Sequence, residues 1–341
     1  MQSHDTPYAM TDHPPGNRPR RRQTFRVMAI VIGIAAIALL VRHFGDLQRF
    51  LALAQQAKPL WILLAVALQV ATYVAVALGW RTVLQFAGAP QPLRKLLPVA
   101  LSKLFADQAL PGAGLGGHVL LVDRLTALGT PRGTAVAVLL ISMVGYYASY
   151  AFLALVMLLV LWLHQAATPL LTGVITTFLL VALAVPALAL WLRHRGRRPL
   201  PPQIERLGPI RKVVGIIGEA PGELVRNRRL LIVVTLFSGL VFVADAATLA
   251  VCLVALGFPL MPATAFLAFM AGSIAATLTL VPLGLGTFEA SSTAMLVALD
   301  VPFEAALTAT LLLRGLTLWL PLVPSLIMMR LGVRPRQKDR P

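Results

Sequence analysis

Apolar runs set the pattern of this chain. They occupy about 26–41, 60–80, 134–163, 169–192, 230–256 and 303–329. About 20 apolar residues cross a bilayer core as a helix, so the pattern predicts six spans. The first run is the shortest and follows Arg18, Arg20, Arg21, Arg22 and Arg26. No small-residue cleavage site follows it in "VRHFGDLQRF", which favours an uncleaved signal anchor over a signal peptide.

Two further apolar segments, about 95–130 and 263–300, are interrupted. The first contains Pro111, Gly112, Gly114, Gly116 and Gly117; the second contains Pro282, Gly284, Gly286 and Thr287. Proline and glycine break a spanning helix, and non-helical backbone at membrane depth must be buried in protein or face a watery cavity. Both segments therefore predict re-entrant helix pairs. A shift of 171 places Pro111 on Pro282, Ala127 on Ala298, Leu128 on Leu299, Pro131 on Pro302 and Ala135 on Ala306. Three spans separate the starts of the two units, at about 60 and 230. An odd number inverts the second copy, and inverted repeats with discontinuous helices are a transporter signature.

The predicted fold is an all-α polytopic membrane protein, with about six full transmembrane helices and two re-entrant units arranged as an inverted repeat. Residues 25–330 form one membrane domain with repeat units at about 60–163 and 230–329. Residues 1–24 and 331–341 are basic cytoplasmic tails, the first of them expected to be disordered. In the linker 193–229, Ile210, Val213, Val214 and Ile217 share one face, which predicts an interfacial helix on an anionic leaflet.

Composition removes the soluble alternatives. The chain is 58% hydrophobic and only 13% charged, with mean hydropathy +0.80. In a soluble protein the net charge of +17 would suggest nucleic acid, but the basic residues cluster in connections between apolar runs, so no nucleic-acid partner is expected. With both termini cytoplasmic, 25 Lys and Arg residues fall on the inner side and 3 on the outer. The single cysteine, Cys252, lies in an apolar run and reads as a packing residue. No zinc-protease helix, nucleophile elbow or phosphate-binding loop occurs, and no metal or cofactor is predicted.

The remaining candidates are charges inside apolar runs, where each is expensive unless paired or wetted. Asp245 and Arg314 both fall near mid-depth, which predicts a pair. Such a pair either locks two spans together or serves transport, with Arg314 holding a lipid phosphate while Asp245 or Glu289 exchanges a proton. In the first broken segment the candidates are Asp107, His118, Asp123 and Arg124, with His118 foremost. His118 and Asp123 point about 140° apart on a helix, which argues against a shared metal. Arg124 and Lys103 also suit interfacial anchoring. The helix starts at Gly114 to Gly117 and Gly284 to Thr287 can present free N–H groups to an anion; the competing reading is that these glycines permit tight helix contact.

"LPGAGLGGHVLLVDRLTALG" and "VPLGLGTFEA" resemble the two hallmark segments of the lysylphosphatidylglycerol synthase membrane-domain family, also called flippase-like membrane proteins. The resemblance covers roughly residues 25–330, and the second segment, ending in Glu289, is the more specific. It implies movement of a lipid or lipid-linked headgroup between leaflets of a bacterial plasma membrane, with anionic phospholipids or lipid-linked headgroups as partners. A membrane-embedded transferase acting on a lipid headgroup and an accessory subunit are the alternatives. Three positions depart from the family pattern. His118 stands where an acidic residue is common, Phe288 where a basic residue often precedes the glutamate, and Ile141 and Ser142 replace an acidic-arginine pair.

Overall fold

The computed structural model describes residue 55 and residues 57–109, 115–163, 168–195, 220–279 and 284–319. The predicted span at 26–41, both tails, the linker's interfacial helix, and Pro111, Gly112, Gly114 and Pro282 lie outside the described residues. The chain divides after Leu51, and all described residues belong to the unit Ala52–Pro341.

Among the described residues the secondary structure is helical, with no strand. Helix α1 (Pro59–Phe86) begins with a proline, whose missing N–H costs nothing in the first turn. It is followed by α2 (Leu93–Ala109), α3 (Leu115–Ala127), α4 (Arg132–Leu163) and α5 (Pro169–Arg195). After the linker come the short α6 (Gly222–Arg226), α7 (Arg228–Ala255), α8 (Pro262–Leu278), α9 (Thr287–Ala298) and α10 (Phe303–Arg314). A π-helical turn, Gly315–Trp319, continues α10. The Asn227 side chain starts α7 by accepting the Leu230 amide at 3.2 Å.

Four of these helices are long and apolar enough to cross a bilayer: Pro59–Phe86, Arg132–Leu163, Pro169–Leu188 and Arg228–Ala255. Their outward faces carry Leu63, Phe152, Leu155, Trp162, Leu180 and Leu236 in the open. Such exposure suits hydrocarbon rather than water. The chain is a polytopic all-helical membrane protein. Of the predicted sixth span, 303–329, the described part is helical to Trp319.

The internal duplication reaches the level of single hydrogen bonds. Helices α7, α8, α9 and α10 begin 169, 169, 172 and 171 residues after α1, α2, α3 and α4. At the end of α1 the amides of Ala87, Gly88 and Ala89 donate to the carbonyls of Val83, Gln85 and Leu84. At the end of α7 the amides of Leu256, Gly257 and Phe258 donate to those of Cys252, Val254 and Leu253, the same bonds 169 residues on. The turn after α3 bonds Leu128 to Leu125, Gly129 to Thr126 and Thr130 to Leu125. The turn after α9 repeats it 171 residues later, with Leu299 to Leu296, Asp300 to Val297 and Val301 to Leu296. Left-handed residues close both turns, Gly129 at φ 87° and Asp300 at φ 65°.

Helix directions show that the copies are inverted. The Lys58 amide donates to the Ala255 carbonyl at 2.9 Å, Gln69 meets Asp245, and Gly79 faces Phe237. Rising numbers on α1 meet falling numbers on α7, so these equivalent helices are antiparallel. Along α4 and α7 the order is the same in both, with Gly145 against Val234 and Ser149 against Gly239, so they are parallel. It follows that α1 and α4 oppose one another. The pair α2–α3 between them must return the chain to the side it left. Its helices have 17 and 13 residues, and those of α8–α9 have 17 and 12. At about 1.5 Å per residue, a 12- or 13-residue helix spans roughly 18–20 Å, short of the roughly 30 Å hydrocarbon core.

Candidate functional site: a cavity and its plugged counterpart

The first hairpin borders a cavity of about 400 Å³. Residues of α1, α2, α3, α4 and α7 line it, and none of the described residues of the second hairpin does. Its polar lining among the described residues is Lys103, His118, Ser142, Tyr146, Tyr147 and Ser238, with no carboxylate among them. Trp80, Val76, Phe237 and Val241 add apolar wall. The Ser142 hydroxyl is buried without a hydrogen-bond partner among the described residues. A basic, hydroxyl-bearing chamber with apolar walls suits an anionic headgroup that brings its own acceptors.

The second hairpin is closed at its break. Gly284 has φ 60°, and a Cβ there would stand 2.5 Å from that of Ala276, so only glycine fits this approach of the break to α8. The Thr287 hydroxyl donates to the Gly284 carbonyl at 3.0 Å. Gly286, at φ 81°, caps α9, and its amide donates to Glu289 Oε2 at 2.7 Å. The helix start predicted to receive an anion thus binds a carboxylate from its own first turn. The other carboxylate oxygen, Glu289 Oε1, accepts from Arg314 Nε at 2.7 Å, and both side chains are 14% exposed. The guanidinium lies 4.9 Å from the Phe288 ring centroid. Phe288 in turn is pressed onto Gly272, where a Cβ would meet the ring at 3.0 Å.

The predicted pair of Asp245 with Arg314 is therefore corrected. Asp245 Oδ1 accepts from Gln69 Nε2 at 2.8 Å, and the same nitrogen lies 3.1 Å from Thr248 Oγ1. Asp245 faces α1, whereas Arg314 faces α9, so depth alone matched the wrong partners. Of the other candidates, His118 lines the cavity. Asp123 is exposed and Arg124 half-buried, and neither lines it. Asp107 lies in α2, and its side chain is outside the described residues. Gly117 is buried beside His118, and Gly116 lies in the first turn of α3. Lys103, Ser142, the two tyrosines and Gln69 are the additions. Lys103 suited an anchoring role just as well by sequence, and the others carry no charge to flag them.

The cavity and the ion pair occupy matching places in the two repeats. Counting back nine residues from the last residue of α3 gives His118, and from the last of α9, Glu289. The neighbouring positions are Gly117 and Phe288. Met143 and Arg314 are both the twelfth residues of α4 and α10, and Lys103 and Gly272 both the eleventh of α2 and α8. Lys103, His118 and Met143 line the cavity. The equivalent place in the second repeat holds the Phe288 ring and the Glu289–Arg314 ion pair. Aromatic contacts connect the two: Tyr146, on the cavity wall, meets Phe242 at 5.0 Å, which meets Phe269 at 6.5 Å, which meets Phe288 at 6.0 Å.

Two comparisons place this architecture among known proteins. A UPF0104 membrane protein of Pyrococcus horikoshii is 23% identical over 320 residues, which cover 87% of this chain and 94% of that protein. The Lysylphosphatidylglycerol synthase TM region matches residues 26–325, nearly the whole chain, and the chain belongs to this family.

Proposed function

We propose that this protein moves a phosphate-bearing lipid or lipid-linked headgroup between the leaflets of a bacterial plasma membrane, with both termini cytoplasmic. The observation that carries the reading is the asymmetry of the inverted repeat: one hairpin borders a basic cavity while the equivalent place in the other is filled. Inverted repeats give a transporter two related conformations, in which the open and closed halves exchange roles. Lys103 supplies the charge that meets the headgroup, His118 and Ser142 supply further hydrogen bonds, and the apolar wall takes the chain-proximal part of the lipid.

Reconstitution tests this directly. The full chain in vesicles of phosphatidylcholine with a fluorescent phosphatidylglycerol tracer should speed exchange of the tracer between leaflets, read by quenching from outside. Lys103→Met should lower that rate about tenfold, the equivalent of one lost charged contact. Wild-type exchange equal to empty vesicles, or a Lys103→Met rate equal to wild type in well-folded protein, defeats the reading.

A further inference from the structure

We infer that Arg314 is a second anion-binding site on the same path, and that the Glu289 carboxylate occupies it as a built-in stand-in for the headgroup phosphate. The inference rests on the transport reading and extends it to the half of the molecule that is closed.

Three observations converge on Arg314. By helix count it is the counterpart of Met143, a cavity-lining residue, and Glu289 is the counterpart of His118, another. The ion pair therefore lies where the second repeat would place its own chamber. The carboxylate is bound on both oxygens, by the Gly286 amide and by Arg314 Nε, each at 2.7 Å. A backbone N–H at a helix start together with a guanidinium is the donor set that recognises a phosphate oxygen pair, and a carboxylate offers the nearest protein equivalent. Finally, the plug is held by contacts that can be exchanged. Phe288 rests on Gly272 and under Arg314, so withdrawal of α9 from α8 would carry the ring and the carboxylate away together. Arg314 belongs to α10, beyond the hairpin, and its π-helical continuation at Gly315–Trp319 marks a place where the helix departs from regular packing. The arriving anion would then take the guanidinium that Glu289 leaves. Lys103 loads the headgroup in one half and Arg314 receives it in the other.

The decisive variant removes the ion pair without leaving an unpaired charge. Glu289→Gln with Arg314→Met should keep the thermal unfolding temperature in detergent close to wild type while lowering lipid exchange about tenfold or more. Exchange at the wild-type rate in this folded double variant overturns the inference, because a merely structural pair tolerates joint neutralisation. A binding measurement decides the matter if the double variant fails to fold. In a Lys103→Met background, Glu289→Gln should release Arg314 and create binding of short-chain phosphatidic acid, which adding Arg314→Met abolishes. No binding after Glu289→Gln overturns the inference. Resistance of that binding to inorganic phosphate assigns the site to a lipid headgroup, and equal competition assigns it to phosphate as such; either keeps Arg314 as the anion site. The transport reading fails separately, through a Lys103→Met rate equal to wild type.

Discussion

At four matched positions the first hairpin and its neighbour carry Lys103, Gly117, His118 and Met143, where the second carries Gly272, Phe288, Glu289 and Arg314. The backbone plan is shared down to the turn hydrogen bonds. What differs is volume and charge. In the first repeat the small residue is Gly117 on α3, beside the cavity-lining His118, and a lysine from α2 lines the cavity as well. In the second repeat the small residue is Gly272 on α8, which lets a phenylalanine from α9 fill the space and an arginine lie over it. Small and large residues are exchanged in opposite directions on the two helices of the hairpin, where one repeat borders a chamber and the other holds a plug.

The largest effect is expected from breaking the plug. Phe288→Ala removes a buried ring that touches Gly272, Phe269 and Arg314. It should lower stability by about 3–5 kcal/mol, the usual loss for a buried phenylalanine, read as reversible unfolding in detergent. A loss below 1 kcal/mol would show that the ring is not the element holding the second half closed. The converse experiment fills the chamber. Ser142→Phe puts a ring at a position that lines the cavity and should abolish lipid exchange, at a stability cost of about 1–3 kcal/mol from crowding. Undiminished exchange would show that the chamber beside Lys103 is not on the path. The smallest effect sharpens the contrast between the plug and the other intramembrane acid. Asp245→Asn keeps an oxygen for the Gln69 amide, so stability should fall by less than about 1 kcal/mol. Asp245→Leu, which leaves that amide only the Thr248 hydroxyl as acceptor, should cost more, by about 1–3 kcal/mol.

Much of this architecture was legible in the chain because it is written in period and punctuation. Runs of apolar residues gave α1, α4, α5 and α7, and the proline-glycine breaks located the two hairpins. The repeat offset of 171 reappears in the bonds of Leu128 and Leu299, while the first helices keep 169. That two-residue difference falls within the hairpins, between the ends of α2 and α8 and the starts of α3 and α9. Pairing across the fold was less legible. Glu289 and Arg314 lie on antiparallel helices joined by a four-residue turn, and Ser292 meets Thr310 one rung nearer that turn at 3.3 Å. A register argument across so short a connection would have found the ion pair. No local argument could have given Asp245 its partner, because Gln69 is 176 residues away and uncharged. The chamber was illegible for a related reason: its walls come from five helices far apart in the chain.

The Gln69 to Asp245 bond also says something about how this molecule comes to exist. Gln69 is 1% exposed, in a helix synthesised long before its partner. At about 5–20 residues per second, roughly 9–35 seconds pass before the ribosome has made the second residue of the pair. Throughout that interval the amide must stay wet, borrow another acceptor or be shielded by a helper protein, because hydrocarbon offers it nothing. The first half is therefore an unfinished product while it waits, and the arrival of α7 is the event that completes it.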